Sequence, residues 1–227
     1  TPVNENNHYA LYIYQLAQTY KDHVRFWEII NEPDQDWGMV GWKDASYTDS
    51  WWQNAPNACQ LKNIYVPIYR YIRLLRISYE VIKYVDQTAY VTPGGIGYPS
   101  FLDCLLRYTD NPADGTVSTQ YPVTGGAYFD VLSFHAYPHL NMGSSNRHSD
   151  RANEVYTNGI TSFETVLNNR GYNGVTYPKK SLICTENNAP RRSIGGNFGG
   201  IEAQQNYIIK SFVASQKKGL LQTQLYS

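Results

Sequence analysis

Two glutamates 154 positions apart have the clearest chemical use: Glu32 in FWEIINEPD (26–34) and Glu186 in LICTENN (182–188). Each closes a short apolar, β-branched run that reads as a buried strand. A carboxyl kept protonated can give its proton to a leaving oxygen, while a second, ionised carboxylate attacks an electron-poor carbon. That division of labour is what hydrolysis of a glycosidic bond requires. Period-2 alternation puts Glu32 on one face with Ile30 and Glu28, and Glu186 on one face with Cys184 and Leu182. If both faces line one pocket, the two carboxylates meet there. Glu28, deeper on the same face, is expected to be paired and structural. A third run, DVLSFHAYPH (130–139), ends on His135 and Tyr137, which share a face.

Positioning such residues takes strands that end together. Apolar residues at 3–4 spacing mark a helix over 5–21, with Tyr9, Tyr12, Ile13, Leu16 and Tyr20 turned inward. A longer one covers 61–85, with Arg70, Arg73 and Arg76 as a solvated stripe. Ser100 and Asp103 suggest a capping box for a short helix, and helices at 149–170 and 202–218 are stopped by Gly171 and Gly219. Strands are expected to start near 25, 89, 128, 181 and 220. Alternating β and α elements with continuously apolar strands imply a parallel sheet covered on both faces. No G-x-G-x-x-G or phosphate loop follows the first strand, so the expected architecture is an α/β (β/α)8 TIM barrel, whose functional residues sit at the C-terminal strand ends. At a mean spacing of about 49 residues, eight units need on the order of 390. Residues 1–227, read as a single domain, therefore fit roughly five-eighths of a barrel, and two open sheet edges need cover.

FWEIINEPD, DVLSFHAYPH and LICTENN together resemble strands four, six and seven of the clan of retaining (β/α)8 glycoside hydrolases that includes cellulases, mannanases and β-xylosidases. The resemblance spans most of the chain as strands four to eight, with strands one to three absent. It implies that Glu32 is the general acid/base and Glu186 the nucleophile forming a glycosyl-enzyme intermediate. It further implies that Asn31 hydrogen-bonds the sugar 2-OH, and that Tyr137 donates to Glu186, with His135, Tyr137 and Asn187 in the substrate site. Clan members commonly place a Trp at the end of strand eight. Here Leu225-Tyr226-Ser227 stands there, so either Tyr226 substitutes or the chain stops short of that position. The rival expectation is a catalytically silent, glycosidase-like structural or carbohydrate-binding subunit of an assembly.

Composition narrows the partners. Lys+Arg and Asp+Glu number 19 each, so no field attracts a polyanion and nucleic acid is not an expected partner. No apolar run approaches the ~20 residues of a membrane helix, so no membrane partner is expected. Cys59, Cys104 and Cys184 are too dispersed for a disulfide framework. No carboxylate–histidine spacing supports a metal, and no cofactor is expected. Trp37, Trp42, Trp51 and Trp52 crowd a Gly-, Asp- and Ser-containing loop, where Trp37 and Trp42 are candidate sugar-stacking platforms. Hydrolysis of a carbohydrate polymer points to an extracellular or cell-surface setting. The start at Thr1, without Met or an apolar leader, suggests processing or truncation, with the missing strands supplied by an N-terminal segment or another chain.

Overall fold

Strands and helices alternate along the computed structural model, which describes residues 4, 6–34, 68–142, 148–193, 196 and 198–226. Backbone contacts divide the chain into two compact units, Thr1–Val131 and Leu132–Ser227.

In the first unit, α1 (His8–Tyr20) is capped by Asn7, whose side chain accepts the Ala10 N–H. Its buried stripe is Ala10, Ile13 and Ala17, whereas Tyr12 and Tyr20 are exposed, contrary to the expected inward face. Two alanines on the stripe let α1 approach α2 (Ile68–Val85) closely, and Tyr9 Oη meets Ser78 Oγ at 2.8 Å. On α2 the apolar spacing delivers Ile68, Ile72, Leu75 and Ile82 to the core, with Tyr71 fully buried among them. The arginine stripe is not merely solvated. Arg73 and Arg76 converge on the buried carboxylate of Asp110 at 3.0 and 3.2 Å, a pairing that an unaccompanied buried charge requires.

β1 (Phe26–Ile29) and β2 (Tyr90–Pro93) pair in parallel, from Phe26 opposite Tyr90 to Ile29 opposite Pro93. α3 (Pro99–Arg107) has Tyr98 at its cap position and so starts two residues earlier than a Ser100 cap would allow. Pro99 suits the first turn, where an amide hydrogen is dispensable, and Asp103 instead pairs with Arg107 at 2.9 Å.

The second unit carries a three-stranded sheet in the order β3 (Val131–Ala136), β4 (Ser181–Asn187), β5 (Gln222–Leu225), with β4 and β5 parallel. Helices α4 (Ser149–Asn169) and α5 (Ile201–Lys218) pack on each other, and Tyr156 Oη meets Ser215 Oγ at 2.7 Å between them. Gly171 (φ 89°) and Gly219 (φ 72°) terminate these helices in the left-handed conformation that glycine adopts without a Cβ penalty. Among the described residues no helix is long and apolar enough to cross a membrane. Among the described residues the strands thus form a parallel pair in the first unit and a three-stranded sheet in the second.

Candidate active site

The end of β1 is held in an unusual backbone. Ile30 (φ 65°) and Glu32 (φ 46°) both lie in the left-handed region, where a β-branched residue such as Ile is a clear outlier. Such conformations persist only where the surroundings over-determine them, and two clamps do so here. Beneath the turn, the buried Tyr71 hydroxyl donates to the Ile29 carbonyl (3.2 Å) and accepts the Gly94 N–H (3.0 Å), joining the ends of β1 and β2. A Cβ on Gly94 would stand 1.4 Å from the Ile30 carbonyl oxygen, so only glycine permits this approach. Beyond the turn, Asp34 Oδ2 accepts the Gly97 and Tyr98 N–H groups at 2.8 Å each, tying the β1 loop to the β2 loop.

Glu32 therefore sits between two fixed points. Asn31 beside it is exposed, and so is Glu28, which sequence parity had placed deep. Asp34 is 1% exposed and its Oδ1 has no hydrogen-bond partner. Burial pushes its carboxyl up from 3.8 to about 6, against the lowering effect of the Tyr98 and Gly97 amides, and the nearby charge of Glu32 adds to the rise. Tyr71 is likewise pushed upward by burial, so it stays a neutral donor.

In the second unit, Tyr137 donates to Glu186 Oε2 at 2.5 Å, and Nδ1 of the buried His135 lies 3.4 Å from the same oxygen. The alternation that brings Glu186 there is interrupted. Cys184 faces Thr223 and Asn187 faces Leu225, so β4 spends three residues where β5 spends two. A bulge of this kind re-aims side chains at strand ends. Its consequence falls on Asn187, which is fully buried. Its amide accepts from Tyr207 Oη at 2.5 Å and donates to Ser211 Oγ at 3.0 Å, both on α5. The expected sugar ligand thus anchors a helix, and Asn188 is the neighbour that lines a cavity.

That cavity, about 850 Å³, is bounded by Tyr137, His139, Asn188, Arg191, Arg192 and Tyr226 among others. Tyr137 and Tyr226 meet edge to face, with ring centroids 6.3 Å apart. Asn188 Nδ2 donates to the Tyr226 carbonyl at 2.6 Å, and Gln204 Nε2 donates to Asn188 Oδ1 at 3.1 Å and to the Ala189 carbonyl at 2.7 Å. Burial depresses the His139 pKa, which favours the neutral imidazole.

The structure thus brings Glu186, His135 and Tyr137 together in one unit and places Glu32 and Asn31 at a strand end of the other. Trp37 and Trp42 lie outside the described residues. Sequence reading passed over Tyr71, Asp34 and the Arg191–Arg192 pair. The Gly94-Gly95 step after β2 was the available signal for a close approach, but nothing in it named Tyr71 or Asp34.

No family model and no curated protein sequence matches the chain. Among solved structures, it is similar to a family 39 glycoside hydrolase from the gut symbiont Bacteroides cellulosilyticus WH2 (15% identity, TM-score 0.53), covering 97% of this chain and 38% of that one. It is also similar to an endoglucanase (11% identity, TM-score 0.53; 96% of this chain, 57% of that). A hyperthermophilic endo-β-1,4-glucanase solved in complex with substrate matches at 12% identity and TM-score 0.50, over 96% of this chain and 57% of the other. At these identities the likeness is one of fold: an α/β fold with parallel strands that matches part of a TIM-barrel glycoside hydrolase. The chain spans about two-fifths to three-fifths of the length of these structures.

Proposed function

We propose that this chain is the strand-four-to-eight portion of a retaining glycoside hydrolase acting on β-linked poly- or oligosaccharide at the cell exterior. In this reading the Glu186 carboxylate attacks the anomeric carbon as the bond to the leaving oxygen breaks, and Glu32 gives that oxygen its proton. Glu32 then takes a proton from water, which attacks the anomeric carbon and releases Glu186, so that the configuration is kept after two inversions. Asn31 meets the sugar 2-OH, Trp37 and Trp42 stack on sugar faces, and the mechanism requires the two carboxyl groups to come within about 5–5.5 Å in the working enzyme.

The observation that carries the reading is Glu186 itself, a carboxylate at a strand end that receives the Tyr137 hydroxyl and lies against His135. A donor on one carboxylate oxygen fixes the group and leaves the other oxygen to react. The strained turn bearing Glu32 is a second support, because such backbone clusters at functional sites. Strands one to three are supplied by further chain or by a second chain. The exposed Ile209, Phe212 and Val213 of α5 are suited to face such an addition.

The test replaces Glu186 with Gln in the intact source protein. Turnover of a β-linked aryl glycoside should be lost while sugar binding remains. Undiminished hydrolysis would rule Glu186 out as the nucleophile. Inverted product configuration, read by NMR, would rule out the retaining mechanism, and absence of turnover in the unsubstituted protein would favour a silent subunit.

A further inference from the structure

The cavity beside Glu186 has a charge that hydrolysis of a neutral sugar does not require. Arg191 and Arg192 both line it, no Asp or Glu does, and among the described residues neither guanidinium has an acidic partner. Glu202, in the first turn of α5, is exposed and outside the lining. The arginine segment is fixed in place. The Gly200 N–H donates to the Pro190 carbonyl at 3.0 Å, and a Cβ on Gly199 would lie 2.4 Å from the Arg192 carbonyl oxygen. The two glycines therefore let residues 190–192 pack directly on the start of α5. Gly200 gives that helix no side-chain cap, so its positive end adds to the same field at Ile201 and Gln204.

Apart from the uncharged polar side chains of Asn188 and Gln204 and the imidazole of His139, the rest of the wall is apolar or aromatic, from Pro190, Ile201, Ile208 and Leu225 to the crossed rings of Tyr137 and Tyr226. Such a wall suits the C–H faces of a sugar ring, whereas a small inorganic anion would leave it unburied. Guanidinium groups match carboxylate and sulfate oxygens in charge and fork geometry.

We propose that this cavity is a subsite for a sugar unit carrying one anionic group, a C6 carboxylate or a sulfate ester, with Arg191 and Arg192 as its counter-charges. Its place next to the reacting sugar rests on the reading of Glu186 given above, because Tyr137 is the wall shared by the cavity and that carboxylate.

The experiment is calorimetric binding to the Glu186→Gln form of the intact protein, at low and high salt. The probes are cellotetraose, its C6-carboxylated counterpart and its C6-sulfated counterpart. A charged probe should bind about tenfold tighter than the neutral one at low salt, with the advantage shrinking as salt rises. Which charged probe binds tighter assigns the group as uronate or sulfate. Arg191→Gln with Arg192→Gln should remove the preference while leaving neutral binding within about twofold, and the double Lys variant should keep part of it. Equal affinity for neutral and charged probes, no binding of either charged probe, or a preference that survives the double Gln variant would overturn the proposal. Hydrolysis persisting in Glu186→Gln, with the arginine-dependent preference intact, would instead remove the nucleophile and leave the subsite standing.

Discussion

Asp34 offers the sharpest quantitative test of the clamp around Glu32. Its carboxyl titrates at about 6 in the fold against an ordinary 3.8, a rise of about 2 units caused first by burial. The folded chain therefore holds this proton more tightly than the unfolded chain. The stability the group contributes is full below about pH 3.8 and is lost as pH rises through about 6. At about 1.4 kcal/mol per unit, the total is about 3 kcal/mol, of which about 2 falls between roughly pH 4.5 and 8. Asp34→Asn keeps an oxygen to accept the Gly97 and Tyr98 N–H groups but removes the titration. The stability of the variant relative to the parent should therefore climb by about 2 kcal/mol across that interval, read from urea unfolding at a series of pH values. Carboxyl carbon NMR of the parent should give a midpoint near 6, displaced downward in a Glu32→Gln background that removes the neighbouring charge. A pH-independent difference between variant and parent, or a midpoint near 4, would refute the claim that burial outweighs the two amide bonds at this site.

Tyr137→Phe removes the donor to Glu186 and should lower kcat by about 10- to 100-fold, the value of one hydrogen bond to a charged group, in steady-state kinetics on an aryl glycoside. Tyr71→Phe deprives the Ile29 carbonyl and the Gly94 N–H of their shared partner and should cost about 1–3 kcal/mol in denaturant unfolding. Gly94→Ala drives a methyl into the Ile30 carbonyl, so it should destabilise by more than about 3 kcal/mol in the same assay and remove activity with it. Gly219→Ala, with open space around the new methyl but a left-handed backbone, should cost only about 1 kcal/mol, measurable as a small drop in Tm.

Local chemistry made much of this protein readable. Apolar spacing located α2, α4 and α5 because a helix buried on one face repeats every 3.6 residues, and Gly171 and Gly219 marked two ends because a left-handed residue favours glycine. Short apolar runs located the first four strands among the described residues, and the LLQTQLYS segment the fifth, and with them the positions of Glu32, His135, Tyr137 and Glu186 at or just beyond strand ends.

Where side chains go was decided by packing. Alternation in β4 predicts that Asn187 and Glu186 take opposite faces, but not that a bulge intervenes or that Asn187 is spent on Tyr207 and Ser211, because bulges and partners 20 or more residues away leave no local periodicity. The Ser100–Asp103 pattern looked like a cap, yet Pro99 starts that helix and Asp34, 63 and 64 residues from the amides it accepts, binds the turn before it. Tyr71 lies 42 residues from Ile29 and 23 from Gly94, and only the folded chain brings its hydroxyl between them. The sequence by itself determined which residues could carry the chemistry. The tertiary structure decided what holds them, because buried polar groups must find partners wherever the packed chain supplies them.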